Sequence, residues 1–541
     1  MDYRFELLNQ HLKKNETYLI KPPRGHIKTC VVYPNSYEIG MASLAFHFTY
    51  SYFCAYPEFC VERAFLPDKK SMPLILTKYL PSFETLTPLM NFNILAFSIS
   101  YEPDFINVLK ILKYAKIPLR ASDRRNAPYP LVICGGPINF QNIIPMAEVF
   151  DIFCVGNGET ALPEFIKSYI NNYGRCQTIE EINYKTITEL SSASNILSQP
   201  VSIGSGRSFT LGCEVKTRPQ YAKTAILSAN NEFASRAIIE VQRGCVRRCR
   251  FCMVGNCYGR FRFNEYSEII EYVEKTSAFT HKFGLLGPAV TAHPQINQLY
   301  DYFKDKKFDV SMSSIYADEL NDNALKILSE SDQKNVTAGI ESADYEIRKI
   351  SGKNLTDEAI KQSFAAALNS GIKTFKLYLI LGLYDYFEKS GSEADDTTSF
   401  LTDLAGFIKS KKSDAKLKIS FNPLILKPRT PLYENLKSGK FLEKYRSSFY
   451  IDELNERYEK IAKNLKSVSN IEFSEKNFDD AKVLKYLTDC TINLFDFFND
   501  FFYNEPVKSK ALIKTFAARE SAFDILKVKE KLFGINFFEN E

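Results

Sequence analysis

No apolar run in this sequence is long enough to cross a bilayer; the longest, such as residues 377–383, are the size of a strand. A membrane-spanning segment is therefore not expected. A strong charge of either sign is missing too. With 69 basic against 64 acidic residues, +5 spread over 541 residues is too little to argue for a nucleic-acid partner. The first residues, Met1-Asp-Tyr-Arg-Phe-Glu6, carry charge where a secretory signal needs an apolar stretch. Together with twelve cysteines, this leads us to expect a reducing compartment, the cytoplasm. What is there is an ordinary globular composition, 45% hydrophobic and 25% charged, in a chain long enough for several domains with cores of their own.

Between residues 28 and 171, short apolar runs alternate with helical patterns, the signature of a parallel sheet covered by helices. Strands are expected at 29–33, 63–66, 94–100, 131–134 and 152–155, with helices at 41–54, 105–115 and 160–171. This order predicts a flavodoxin-like sheet, whose ligands sit beyond the carboxyl ends of the strands. The loops of interest are then 34–40, 101–104, 135–137 and 156–159. Residues 176–235 are less regular and read as a linker or a small strand-rich insert. The alternation resumes with strands expected at 237–242, 283–286, 310–313, 335–340, 374–381 and 418–423 and helices at 265–278, 294–303, 322–330, 356–370 and 397–411. Six strand-helix units make a partial (β/α)6 barrel of the TIM type, with chemistry at the C-terminal strand ends.

Beyond residue 440 the chain turns helical and rich in Lys and Phe, and Leu494, Phe497, Phe498, Phe501 and Phe502 recur at helical spacing. That stripe reads as core or an oligomer contact, with a lipid-facing role as the alternative. The expected division is an N-terminal extension 1–27, a flavodoxin-like domain 28–175, the insert 176–235, a barrel 236–440 and a helical C-terminal region 441–541.

The first barrel strand runs into Arg243-Gly-Cys-Val-Arg-Arg-Cys-Arg-Phe-Cys252, a Cys-x3-Cys-x2-Cys spacing. Three thiolates on one short loop can close around a metal centre, and all-sulfur donor sets suit zinc or iron–sulfur. On the loop alone both stay open. An iron–sulfur cluster would keep one iron free of protein. A structural zinc would take Cys257, five residues after Cys252, as its fourth ligand. The surrounding Arg243, Arg247, Arg248, Arg250, Arg260 and Arg262, with Phe251, Tyr258 and Phe261 among them, would then make an RNA-binding knuckle. The other cysteines, Cys30, Cys54, Cys60, Cys134, Cys154, Cys176, Cys213 and Cys490, read as small buried apolar residues.

In its setting after the first of six strand-helix units, the cysteine run resembles the radical S-adenosylmethionine (SAM) superfamily. The resemblance implies that Cys245, Cys249 and Cys252 hold a 4Fe–4S cluster whose fourth iron binds the amino and carboxylate groups of SAM. One electron then cleaves SAM to a 5'-deoxyadenosyl radical. It implies that Phe251 packs on the adenine, that Gly287 in Leu285-Leu-Gly-Pro-Ala289 approaches the SAM amino group, and that Glu341, followed by Ser342, meets the ribose. For Glu341 a loop ion pair, for instance with Arg348, is the structural alternative. Ser313 and Ser314 on the third strand end, and Lys376 and Tyr378 on the fifth strand, are further pocket candidates. The segment 422–433 resembles the sixth-strand loop of one radical SAM group; its strand-three segment usually carries an arginine where this chain has Tyr316.

The domain before the barrel resembles the cobalamin-binding domain of a large radical SAM subfamily. Asn35-x-Tyr37-x-x-Gly40, Ser98-Ile-Ser100 and Gly135-Gly136 stand where the usual pattern reads Asp-x-His-x-x-Gly, Ser-x-Leu and Gly-Gly. Asn35, Tyr37, Gly40, Ser98, Gly135 and Gly136 are thus candidate cobalamin contacts, yet the cobalt-ligating histidine is replaced by Tyr37, a poor substitute for imidazole; this chain resembles some cobalamin-dependent radical enzymes in lacking that histidine, which implies a cobalamin held without it as one alternative. A tight turn is the structural alternative for the two glycines.

The reading is a radical SAM enzyme, a transferase or another carbon-radical catalyst, with a 4Fe–4S cluster and SAM as cofactors and cobalamin left open. Its chemistry would be cobalamin-assisted methyl transfer, or C–C or C–S bond formation or rearrangement without cobalt. A zinc- or cluster-stabilised RNA-binding protein is the alternative of another class. The expected partners are an electron donor such as flavodoxin or ferredoxin and a substrate the sequence does not name, with no stable nucleic-acid complex.

Overall fold

The structure, a computed structural model, describes residues 3–67, 79–191, 196–198, 219–312, 316, 318, 325, 335–436, 439–474, 478–491, 509–517, 523 and 528. The chain divides into two compact units, Met1–Ala237 with Tyr486–Glu541, and Ile238–Lys485. The residues from Tyr486 onward thus fall with the N-terminal unit, not with the 441–485 segment the sequence joined them to. The Leu494–Phe502 stripe and most of the expected helix 322–330 lie outside the described residues. Among the described residues no helix is long and apolar enough to cross a membrane.

The N-terminal unit contains strands β1 (Glu16–Tyr18), β2 (Ile27–Tyr33), β3 (Phe59–Phe65), β4 (Ile94–Ser98), β5 (Leu131–Gly135), β6 (Ile152–Cys154), β7 (Ile196–Ser198) and β8 (Ile226–Ser228). Its main sheet runs β3-β2-β4-β5-β6-β7, parallel except for β7. Counted along the chain, the five parallel strands have the flavodoxin order 2-1-3-4-5. Strands such as Ile27-Lys-Thr-Cys-Val-Val-Tyr33 are almost wholly buried, as a sheet with helices on both faces requires. Phe46 and Phe53, on the helix Leu44–Cys54, join Phe59 and Phe165 in the core.

Two parts of this unit are more ordered than the sequence suggested. Within 176–235 lies a regular helix, Ile179–Leu190, capped by Thr178, whose hydroxyl accepts from the Glu181 amide at 3.3 Å. The same stretch supplies β7 to the sheet edge and β8, which pairs antiparallel with β1. Arg63 on β3 is fully buried, bonding Glu16 at 2.7 Å, Glu84 at 2.6 Å and Tyr18 at 3.0 Å. Desolvating that guanidinium is costly, and two carboxylates and a phenol offset it.

The C-terminal unit is built on β9 (Ala237–Glu240), the hairpin β10 (Gln242–Arg243) and β11 (Arg262–Phe263), then β12 (Lys282–Leu286), β13 (Asp309–Met312), β14 (Asn335–Glu341), β15 (Thr374–Leu381), β16 (Lys416–Pro423) and β17 (Ile471–Phe473). β13-β12-β9 form one sheet and β14-β15-β16-β17 another, the latter parallel throughout. All six expected barrel strands are present. β17, a strand the sequence did not announce, extends the sheet beyond β16. Along β14, β15 and β16 buried residues alternate with half-buried or exposed ones. Buried Phe375 stacks on Phe364 of the helix Asp357–Asn369, ring centroids 4.2 Å apart. The opposite face, with Glu341, Lys376, Tyr378, Ser420 and Asn422, therefore forms the interior side of the partial barrel.

Two expectations follow from the N-terminal unit. Gly136 has φ +103°, and a Cβ there would lie 2.5 Å from the Ile99 carbonyl oxygen, whereas a Cβ on Gly135 would meet nothing nearer than 4.0 Å. Gly136→Ala should cost on the order of 1–3 kcal/mol or more in urea unfolding, and Gly135→Ala less than about 0.5 kcal/mol. Equal losses would show that the close approach to Ile99 is not the constraint. Asp104, buried at the start of the helix Asp104–Tyr114, has its pKa raised from 3.8 to about 6 by burial, opposed by hydrogen bonds from Asn35 and Asn107. A folded pKa above the unfolded one gives stability that is complete below about pH 4 and lost as pH rises through about 6. Asp104→Asn keeps an acceptor and removes the ionisation. It should exceed the wild type in stability near pH 8 by on the order of 2–3 kcal/mol and match it near pH 4, in unfolding measured across pH.

Candidate functional site at the cysteine loop

The loop leaves β10 through Gly244, whose φ is +74° and whose Cβ would stand 2.8 Å from the Arg260 carbonyl oxygen. Only glycine fits that approach. Beyond it the backbone is tied down at several points. The Cys252 amide donates to the Cys249 carbonyl at 3.0 Å, and the Asn256 amide group donates to the carbonyls of Cys249 (2.9 Å) and Cys252 (2.6 Å). The Arg250 amide reaches the Ser351 carbonyl, and its own carbonyl accepts from Leu432. Three sulfurs are thereby presented on backbone that cannot drift.

The thiols feel one another. Burial pushes the Cys249 thiol up to about 11, Lys353 opposes this, and Cys252, Glu341 and Cys245 add to it. Burial also raises Cys252, while the amides of Val254 and Gly255 lower it. Burial first, and neighbouring sulfur after it, holds Cys249 and Cys252 toward the thiol form, and a metal deprotonates its thiol ligands outright. This fits an iron–sulfur cluster, in which each cysteine takes a different iron. A single zinc ion needs four donors converging on one point. Cys257, the proposed fourth, is fully buried on the helix Met253–Cys257 with its Sγ 3.9 Å from the Pro428 carbonyl oxygen. Among the described residues no three Cys, His or carboxylate side chains form a single-ion group.

Glu341 ends β14 at a bulge, with φ +70°. Its partner is Lys353, Nζ to Oε1 2.8 Å, both side chains nearly buried at 9% and 13% exposed. Arg348, the partner suggested by the sequence, is instead spent on the carbonyls of Leu355, Ser342 and Ala343 and on Asp357. Ser342 is buried and its hydroxyl accepts from the Asp344 amide at 3.3 Å, which makes it a turn residue. Lys376 and Tyr378 share the interior face with Glu341, the Lys376 ammonium 5.1 Å from the Tyr378 ring centre. Phe251 is half-buried on the loop itself. Ser313 and Ser314 lie outside the described residues.

Gly287 ends β12 where a Cβ would lie 2.5 Å from Cγ of Gln242. Gln242 is the residue that sequence reasoning missed. It is 1% exposed, and among the described residues neither its Oε1 nor its Nε2 has a hydrogen-bond partner. An unsatisfied buried amide costs stability, so its presence beside the cysteine loop points to a ligand that completes it. Its place directly before Arg243-Gly-Cys245 was the available signal.

In the N-terminal unit, the sequence-derived cobalamin contacts divide. Asn35 donates to Asp104 at 3.0 Å at the β2/β4 switch point, and the buried Ser98 hydroxyl has no partner. Tyr37, at the histidine position, is buried, and its hydroxyl is bonded to Glu16 at 2.6 Å and Ser228 at 2.8 Å. Burial drives its pKa far above the ordinary phenol value, so no phenolate is available to a metal. Gly40 makes room for protein, since a Cβ would strike the Phe65 ring at 2.5 Å. Gly136 serves the turn against Ile99, and Gly135 borders open space.

Residues 45–190 match the family of radical SAM proteins, N-terminal, and residues 239–392 match the radical SAM superfamily. An uncharacterized protein of Methanocaldococcus jannaschii is 27% identical over 402 residues, 74% of this chain and 78% of that protein. Among solved structures, the radical SAM methyltransferase TsrM from Kitasatospora setae, with cobalamin and a 4Fe–4S cluster bound, gives a TM-score of 0.47 at 13% identity, over 75% of this chain and 77% of that one. The cobalamin-dependent SAM radical enzyme OxsB, with aqua-cobalamin bound, gives 0.45 at 11% identity, over 95% and 80%. With the superfamily match spanning β9 to the segment after β15, and the cysteine loop inside it, this chain belongs to the radical SAM superfamily of enzymes, whose cofactors are a 4Fe–4S cluster and SAM.

Proposed function

We propose that this enzyme uses Cys245, Cys249 and Cys252 to hold the cluster with one iron open to SAM, and so activates an unreactive C–H bond of its substrate. The observation that carries the reading is the loop that presents Cys245, Cys249 and Cys252 at the end of the first barrel strand, its backbone fixed by Asn256, Ser351 and Leu432. When bound, the cluster would pass one electron to SAM, giving methionine and a 5'-deoxyadenosyl radical that takes a hydrogen atom from the substrate and leaves as 5'-deoxyadenosine. The chain's own residues bind, orient and exclude water. Phe251 would offer its ring to the adenine. Glu341, fixed by Lys353, would accept from the ribose hydroxyls, and Gln242 would use its free carbonyl and amino group on polar atoms of SAM beside Gly287. A flavodoxin or ferredoxin would deliver the electron.

Tyr37 bears on two uses of the radical. Its engagement with Glu16 and Ser228 removes it as a cobalt ligand; we favour C–C or C–S bond formation or rearrangement without cobalt, with methyl transfer on a cobalamin held without a protein ligand as the other reading. Protein purified anaerobically from cobalamin-fed cells should then show no corrinoid absorbance. A stoichiometric corrinoid would restore the methyltransferase reading.

Cys249→Ala should abolish both the brown chromophore and dithionite-driven formation of 5'-deoxyadenosine. Metal analysis of the wild type should find iron, about four per chain for a 4Fe–4S cluster; stoichiometric zinc with no SAM turnover would sink the enzyme reading. Gln242→Leu keeps the volume and deletes the orphaned amide. It should raise unfolding stability by about 1–3 kcal/mol and lower kcat/KM for SAM by roughly tenfold or more. Loss of both stability and turnover would mark Gln242 as scaffold.

A further inference from the structure

The cysteine loop has a partner that the proposed reaction does not use. Tyr316, beyond β13, places its hydroxyl 2.7 Å from Cys245 Sγ. The guanidinium of Arg247 lies over the Tyr316 ring, 4.1 Å from its centre. Arg247 is itself held by Asp318, Nη2 to Oδ1 2.7 Å, and both charged side chains are mostly buried. The three residues thus form a closed clamp. Asp318 fixes the guanidinium, the guanidinium fixes the ring, and the ring aims its hydroxyl at one sulfur.

A phenol is a hydrogen-bond donor at neutral pH, and a ligating cysteine sulfur carries negative charge that can accept. A cation over the ring face makes the hydroxyl a stronger donor, because it draws electron density from the ring. Adding an electron to a cluster increases the negative charge shared by its sulfurs. A donor to one of them therefore stabilises the reduced form more than the oxidised form, and hydrogen bonds to the sulfurs are among the factors that set cluster potentials. The arginine usual in the strand-three segment of the resembling group is absent here, and the stacked arginine comes from the cysteine loop instead, two residues after Cys245.

We propose that Tyr316, clamped by Arg247 and Asp318, is a positioning residue that donates a hydrogen bond to the cluster-ligating sulfur of Cys245 and raises the reduction potential of the cluster. The inference rests on the radical SAM reading of the cysteine loop. The test is an EPR-monitored potentiometric titration of the full chain, reconstituted anaerobically with iron and sulfide and without SAM. Tyr316→Phe should keep its iron but reduce about tenfold less readily, a midpoint lower by about 59 mV for a one-electron couple. Asp318→Asn, which loosens the clamp and leaves the phenol, should shift the midpoint the same way by less. Full iron content with an unmoved midpoint in Tyr316→Phe overturns the inference, and an unmoved midpoint with a raised KM for SAM assigns Tyr316 to SAM and overturns it equally. If Tyr316→Phe takes up no iron, pulsed EPR of the reduced protein in heavy water decides: a deuteron coupled to the cluster must be present in the wild type and its coupling must weaken in Asp318→Asn, and a coupling that is absent or unchanged overturns the inference. A wild type that binds no iron overturns the enzyme reading itself, an outcome distinct from all of these.

Discussion

One short cysteine loop in the C-terminal unit is fixed by backbone hydrogen bonds, and burial, with neighbouring sulfur after it, pushes two of its thiols, Cys249 and Cys252, up. Cys249 is buried and Cys245 and Cys252 are half-buried, a setting in which thiolates call for a neighbouring cation. The bonds that the protein itself supplies go to the loop's backbone. Gly244 turns the chain, Asn256 gathers two carbonyls, and Ser351 and Leu432 fix the loop from two other segments. Lys353, whose charge opposes the rise at Cys249, is itself ion-paired with Glu341.

That same pair shows why a strained residue sits at the barrel mouth. Glu341 at φ +70° follows a bulge in β14 that shifts its register against β15. A non-glycine residue in that region costs on the order of 1–3 kcal/mol, offset here by the ion pair with Lys353. The bulge turns the carboxylate toward the cysteine loop, where its charge is felt by both Cys249 and Cys252. Strain, near-burial and charge thus meet in one residue at the barrel mouth.

The strands were legible because their apolar runs are short, regularly spaced and separated by amphipathic helices, so β2 to β6 and the six barrel strands fell where the pattern put them. The cysteine loop was legible because its spacing is local. What escaped was set by partners distant in sequence. β17 is three residues whose only claim to be a strand is the free edge of β16. The helix Ile179–Leu190 is polar enough to resemble a linker until Ile182, Ile187 and Leu190 find the core. No local rule announces that Lys353 rather than Arg348 meets Glu341, or that Tyr316 crosses to Cys245, because those pairings depend on where loops end in space.

Tyr37 makes the same point in the N-terminal unit with the opposite result. Its motif is local and readable, and it invites a ligand-binding interpretation of the whole sheet. The fold signal holds, since the flavodoxin order and the glycine turn at Gly136 are both there. The ligand signal does not follow from the fold, because the hydroxyl belongs to a buried network in which Glu16 also serves Arg63. Freeing Tyr37 for a metal would leave Glu16 and Ser228 each short of a bond and would require a phenol to ionise in a site that raises its pKa. Geometry that is this well satisfied by protein has no valence left for a cofactor atom, so any ligand over this sheet has to be held by shape and by groups such as Ser98 that still lack a partner.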